Sequence, residues 1–264
     1  MSKHDAGKKA KSAVPAVEKA LDVLELLATA PGGMTMNEIV DALDRTMGEV
    51  YRVVIYLADR DYLVQSPDTG RYALTLRLFE LSHRHDPTER LIHASLPLLE
   101  RIAANTKQSC HLGVLNRSNV LVLASVHSPL PAGYAVRTGA LFPVEMTSSG
   151  HVILAYSTVE VQDRYIARQP ETQRSEILER LTRIRETGYE NTPSTMIKGV
   201  QNLCVPVFDA RGVTAAITSG FIGQTEIAAS ADDTLHTLRR TALELSQTLG
   251  FRLADSPFEA ALSQ

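Results

Sequence analysis

The chain has 264 residues, 44% of them hydrophobic and 22% charged, with a net charge of −3, no tryptophan and two cysteines. This is the composition of a globular protein with a core to bury, and the length suits two modest domains. A mildly acidic whole excludes a nonspecific nucleic-acid binder, so any DNA contact must be local.

The polar start from Met1 to Lys11 lacks the apolar segment of a secretory signal, and no later stretch approaches the ~20 apolar residues of a membrane span. The cytoplasm is therefore the expected compartment, without membrane association. Residues 1–13 carry Lys3, Lys8, Lys9 and Lys11 and read as a disordered basic tail, solvated or lying along DNA.

From Pro15, apolar residues at Val17, Ala20, Leu21, Leu24 and Leu27 predict a first helix that Pro31-Gly32-Gly33 ends. Thr35 with Glu38 has the capping-box spacing and opens a short second helix carrying Ile39 and Leu43. The same device recurs as Thr46 with Glu49, opening a third helix with Val50, Val53, Val54 and Leu57 on one side. Its other side carries Gly48, Tyr51, Arg52 and Ile55 and is available to a partner. Residues 62–64 and 72–74 predict two brief strands around the turn-rich Ser66 to Gly70, with Arg71 near the tip. Three helices and a hairpin make a winged helix-turn-helix over 14–75, able to enter a major groove; a helical domain serving only dimerisation is the alternative.

A short apolar helix from Leu74 to Leu81 leads into a linker placed at 76–87, and Thr88 can cap the next helix, which Pro97 should kink or delay. Ser109–Leu115 with Val120–Val126, and Val200–Phe208 with Val213–Phe221, predict two hairpins and hence a mainly antiparallel sheet. Helices are expected over 150–156, 159–167, 174–187 and 232–249, covering the sheet. The fold class is α+β, with a second domain over 88–252 and a tail over 253–264. Cys110 and Cys204 lack the spacing of a zinc or redox motif and read as buried thiols.

Catalysis is not expected, and neither cofactor nor metal is implied. Cys110 and His111 are strand neighbours and point apart, Ser149 lacks the G-x-S-x-G elbow, and no H-E-x-x-H pattern occurs.

The order of these parts, with Val50-Tyr51-Arg52, Gly70-Arg71-Tyr72-Ala73-Leu74, the 148–155 stretch, Gly188-Tyr189, Gly199-Val200 and Val205-Pro206-Val207-Phe208-Asp209, resembles the IclR family of bacterial transcription regulators from about Val14 to Gly250. The resemblance implies a GAF-like effector-binding domain, dimers or dimers of dimers, a double-stranded operator and a small organic or aromatic acid as effector. Carried onto this sequence, the DNA-binding residues are Thr35, Thr46, Met47, Gly48, Glu49, Tyr51 and Arg52, with Arg71 from the wing. Arg52 can bridge phosphates, read guanine or form an internal ion pair. Glu49 stands where the family commonly has threonine, and capping gives it a local reason beside accepting from cytosine. The resemblance places the effector among Ser149 and Gly150 at a helix start, Thr192 in a loop, Asn202 on one strand and Thr218 and Gly220 on the next. Thr192, Asn202 and Gly220 depart from the family's frequent acidic residue, cysteine and serine, so the ligand itself does not carry over.

Overall fold

The computed structural model describes residues 14–84, 88–224 and 229–252. They form two compact units, the first ending at Asp86 and the second beginning at Pro87. The expected tails at 1–13 and 253–264, and the end of the expected linker at 85–87, lie outside the described residues.

The first unit is built from α1 (Pro15–Ala28), α2 (Met36–Ala42), α3 (Met47–Asp59), β1 (Leu63–Gln65), β2 (Tyr72–Leu74) and α4 (Arg77–Arg84). Proline at the first turn of α1 supplies a preset φ where its missing N–H costs nothing. Thr35 caps α2 through the expected box: the Glu38 N–H donates to Thr35 Oγ1 at 3.3 Å, and the Thr35 N–H donates to Glu38 Oε2 at 2.7 Å. One core forms from Val23 and Leu27 of α1, Ile39 of α2, Val50, Val54 and Leu57 of α3, and Leu63 and Tyr72 of the wing. Gly33 ties the wing to the turn after α1. Its φ of 68° is open to glycine, and a Cβ there would stand 2.6 Å from the Tyr72 carbonyl oxygen. The helix expected from Leu74 starts at Arg77 instead. Thr75 remains part of the hairpin, its hydroxyl bonded to the Asp61 carbonyl and its oxygen accepting the Arg77 N–H at 3.1 Å.

The second unit runs α5 (Glu89–Thr106), β3 (Cys110–Asn116), β4 (Asn119–Val126), β5 (Leu141–Pro143), a 3-10 turn (Val144–Met146), α6 (Ser148–Tyr156), α7 (Val159–Ile166), α8 (Glu171–Thr187), β6 (Glu190–Pro193), β7 (Gln201–Asp209), β8 (Gly212–Phe221) and α9 (Ala231–Thr248). The strands form one sheet in the order β5-β4-β3-β8-β7-β6, with every neighbouring pair antiparallel. Strand alternation divides the long apolar runs between two cores. Leu112, Leu203, Val205 and Ile217 face α5 and α9, packing on Leu99, Ile102, Leu238 and Leu245. Cys204, Phe208 and Ala216 face α6 and α8, against Val152, Leu154, Leu181 and Ile184. Both cysteines are buried and free, and they sit in different cores. Helix α5 runs unbroken through Pro97, so the late start considered for it does not occur. The sequence reading missed β5 and β6, edge strands of three and four residues that each end in proline. Proline is tolerated there because an edge leaves N–H groups without a ladder partner.

Candidate functional site

Two places carry the candidate residues, one in each unit. On α3 the helical period turns Val50, Val54 and Leu57 inward, leaving Met47, Gly48, Tyr51 and Arg52 exposed as a stripe at three- and four-residue spacing. Tyr51 is 51% exposed, a large aromatic held out of its own core. Arg52 makes no hydrogen bond or ion pair with any described residue. A Cβ on Gly48 would meet nothing within 4 Å, so this corner can approach another surface closely.

Glu49 is spent locally. Its Oε2 accepts from the Thr46 N–H at 3.0 Å and from the Thr46 hydroxyl at 2.8 Å, while Oε1 lies 3.0 Å from Lys19 Nζ on α1. The Thr46 amide, with Lys19 beside it, holds the carboxyl down to about 2. A folded-state value below the unfolded one stabilises above the unfolded value and loses that contribution as pH falls. Glu49→Gln should therefore melt below the parent at pH 7, with the gap closing between about pH 4.5 and pH 2. Paired thermal melts check this, and a gap that stays constant across that window would contradict it.

Arg71, on the strand edge of the wing, is also engaged. Its guanidinium forks onto Glu38, with Nη1 and Nη2 each 2.9 Å from a carboxylate oxygen, and Nη1 donates to the Gly33 carbonyl at 2.8 Å. Thr35, Glu38 and Arg71 thus form one fastening between α2 and the wing, and Thr35 stands within the cap.

In the second unit, β3, β4, β5, β7, β8, the start of α6 and the segments before β5 and before β7 enclose a cavity of about 30 Å³, room for a water or two, so a ligand of ring size must part its walls to enter. Of the six residues carried over for the effector, Ser149, Asn202, Thr218 and Gly220 line it. The other two do not. Thr192 belongs to strand β6 rather than to a loop, paired in register with Asn202, and its hydroxyl lies 3.3 Å from that of Ser148. Thr192 therefore reaches the cavity only through Ser148, a lining residue. Gly150 lets the first turn of α6 close onto the preceding 3-10 turn: a Cβ there would lie 2.8 Å from both the Val144 carbonyl oxygen and Thr147 Oγ1.

Sequence reasoning missed His111 and Tyr134 as lining residues. Alternation on β3 was the available signal. Cys110 points to the α5 side, where its thiol donates to the Leu99 carbonyl at 3.3 Å, so His111 points to the other. Burial pushes its imidazole down to about 4, leaving it neutral near pH 7. Tyr134 lies over Gly220, where a Cβ would stand 2.5 Å from the ring. The rest of the lining is apolar, including Val120, Val122, Val136, Phe142 and Met196. His151 is turned into α6, with Nδ1 2.8 Å from the Thr147 carbonyl oxygen. Among the described residues no cluster of histidine, cysteine and carboxylate residues could hold a metal, and no helix is long and apolar enough to cross a membrane.

Residues 16–67 match the model of the IclR helix-turn-helix domain, and residues 87–247 match that of the bacterial transcriptional regulator IclR C-terminal domain. The glycerol operon regulatory protein of Streptomyces griseus is 26% identical over 247 residues, covering 90% of this chain and 97% of that protein. The transcriptional regulator KdgR of Dickeya chrysanthemi is 27% identical over 190 residues, which span 69% of this chain and 62% of the relative. Among solved structures, an IclR homolog from Microbacterium hydrocarbonoxydans complexed with 4-hydroxybenzoate superposes with a TM-score of 0.74 at 23% identity, over 89% of this chain and 98% of that one. An IclR regulator from Alicyclobacillus acidocaldarius gives 0.69 at 25% identity, over 90% and 100%. The relatives are named as regulators and not as enzymes. With a helix-turn-helix unit at its front and the family's C-terminal model matched across most of its length, the chain belongs to the IclR family of bacterial transcriptional regulators.

Proposed function

We propose that this protein is a ligand-responsive regulator, working in the cytoplasm, in which two copies place α3 in successive major grooves of a pseudo-palindromic operator. The observation that carries the reading is the outward stripe of α3, with Met47, Gly48, Tyr51 and Arg52 exposed over a unit whose own core is complete without them. An unengaged guanidinium on that stripe suits phosphate bridging or guanine recognition. Glu49 and Arg71 enter as residues that hold the helix start and the wing in place. The second unit is read as a GAF-like sensor, with a small organic or aromatic acid as effector, in keeping with the 4-hydroxybenzoate complex of the relative from Microbacterium. Its apolar wall and polar helix-start end suit a ligand with one face of each kind. The ligand acts by differential affinity for sensor conformations that do and do not match operator spacing, in a dimer or a dimer of dimers.

Gel-shift titration against the DNA flanking its own gene tests this. Arg52→Ala should weaken binding about tenfold and lower the salt slope by about one, at an unchanged melting temperature. An unchanged operator affinity would remove Arg52 from the interface, and a parent protein that ignored promoter duplexes at low salt would end the regulator reading.

A further inference from the structure

The geometry points to His111 as the group that meets the ligand's carboxylate in the sensor cavity, taking up a proton from solvent as the acid binds. This rests on the reading above that the cavity receives a small acid, and it adds the residue and the proton.

Among the described residues no carboxylate, ammonium or guanidinium lines the cavity. A carboxylate entering it would leave water without a formal positive charge to meet it, and a buried unpaired anion is strongly disfavoured. The hydroxyl donors are partly committed: Thr218 donates to Cys204 Sγ at 3.1 Å, and Ser148 pairs with Thr192. At the helix start, the Gly150 N–H already donates to Thr147 Oγ1 at 3.1 Å. Like the Ser149 hydroxyl and the Asn202 amide, the half-buried His111 ring has no hydrogen-bond partner among the described residues, and unlike them it can take up a positive charge. Its cross-strand neighbours on the two sides are Ser125 of β4 and Thr218 of β8. The Ser125 hydroxyl is buried and likewise without a partner among the described residues.

The groups facing His111 leave its charge state to the ligand. Asn202 of β7, Ser148 and Ser149 of α6 and Thr218 of β8 do not titrate, and Tyr134 from the segment before β5 stays neutral because burial raises its pKa. The Arg180–Glu190 pair acts on His151 and not on His111, whose pKa is lowered by burial alone. In the empty cavity the imidazole is neutral. A carboxylate beside it restores the charged form, one proton passes from solvent to the ring, and an ion pair replaces an isolated buried anion. Between the empty-cavity pKa of about 4 and the higher bound value, each acid bound takes up one proton, so affinity falls as pH rises, by up to about tenfold per unit.

The test uses the full chain with benzoate, 4-hydroxybenzoate and pyruvate as probes and neutral benzamide as a size control. Thermal shift between pH 5.5 and 7.5 identifies the acids that bind. Calorimetry in two buffers of different ionisation enthalpy then counts protons. The expected result is uptake approaching one proton and falling affinity for the acid as pH rises, with a flat profile for benzamide. His111→Gln should remove both the uptake and the pH slope. A second measurement, free of any folding defect in the variant, is the imidazole NMR signal of His111 in the parent at pH 6.5, which should pass from neutral to charged on adding the acid. Binding without proton uptake, or uptake that survives in His111→Gln because the acid carries its own proton, overturns the inference and leaves the acid-sensor reading standing. If none of the acids raises the melting temperature at any pH, the acid-sensor reading falls and this inference with it.

Discussion

Replacing Arg180 with alanine should destabilise the second unit by about 3 kcal/mol. Arg180 projects from α8 and forks onto Glu190, the first residue of β6, with Nε 2.6 Å from one carboxylate oxygen and Nη2 3.0 Å from the other. The Glu190 side chain is 4% exposed and that of Arg180 is 29% exposed. The pair therefore sits at the boundary, with its anion inside and its cation reaching in from the edge. Truncating the cation leaves a carboxylate that cannot turn to water, and removing one partner of a buried pair costs ~3–5 kcal/mol. Partial exposure of the guanidinium places this case at the lower end. The effect should spread to the cavity, since β6 also carries Thr192, whose hydroxyl meets Ser148 at the start of α6. Denaturant unfolding measures the loss. Arg180→Lys should recover part of it, because an ammonium restores charge without the two-pronged geometry. The double variant Arg180→Ala with Glu190→Gln should be more stable than Arg180→Ala alone, since an amide costs less to bury than an unpaired carboxylate. A loss below about 1 kcal/mol in the single variant would show that water reaches Glu190 after all.

How far the sequence discloses this molecule depends on the range of the interactions involved. Both capping boxes, Thr35 with Glu38 and Thr46 with Glu49, are three-residue devices, and both are formed. The inward face of α3 is likewise written in the spacing of Val50, Val54 and Leu57. The long strands around Asn116–Asn119 and Asp209–Gly212 were legible because each combines a continuous apolar run with a turn. What local pattern cannot show is the partner across the chain. Glu38 had a sufficient reason to exist as a cap, and nothing near it announced that Arg71, 33 residues on, would fork onto it. Strand β6 was illegible for a similar reason: Glu190-Asn191-Thr192-Pro193 has no strand-like composition, and it pairs because β7 offers an edge. In the cavity, Ser149, Asn202, Thr218 and Gly220 were reached through resemblance, whereas Tyr134 comes from a segment without periodicity. His111 was in view but weighed only as a partner for Cys110. The alternation that separates the two also turns His111 towards Ser149.

Alanine at Gly150 should cost more stability than alanine at Gly220, although the resemblance put both glycines at the ligand. In a helix the exchange by itself favours alanine by about 1 kcal/mol. At Gly150 the added carbon would stand 2.8 Å from the Val144 carbonyl oxygen, 2.8 Å from Thr147 Oγ1 and 2.9 Å from Val144 Cγ1. One of these atoms is backbone, and Thr147 is fixed as the cap of α6, so the helix start must lift away from the turn. Overpacking of this kind costs ~1–3 kcal/mol and should outweigh propensity, leaving Gly150→Ala less stable by about 1–2 kcal/mol. At Gly220 the nearest atoms are Cδ1 and Cε1 of the Tyr134 ring, 2.5 and 2.7 Å away, and Val200 Cγ1 at 3.3 Å, all of them side chain and none backbone. Gly220→Ala should therefore lose less than Gly150→Ala, about 1 kcal/mol, because a side chain and not backbone must yield, while opening the cavity wall that Tyr134 forms. Its acid preference should shift towards bulkier rings, read as a changed ratio of thermal shifts for 4-hydroxybenzoate and pyruvate. Equal stability losses in the two variants would mean that Tyr134 is as fixed as the Val144 backbone, and that the cavity wall it forms does not yield.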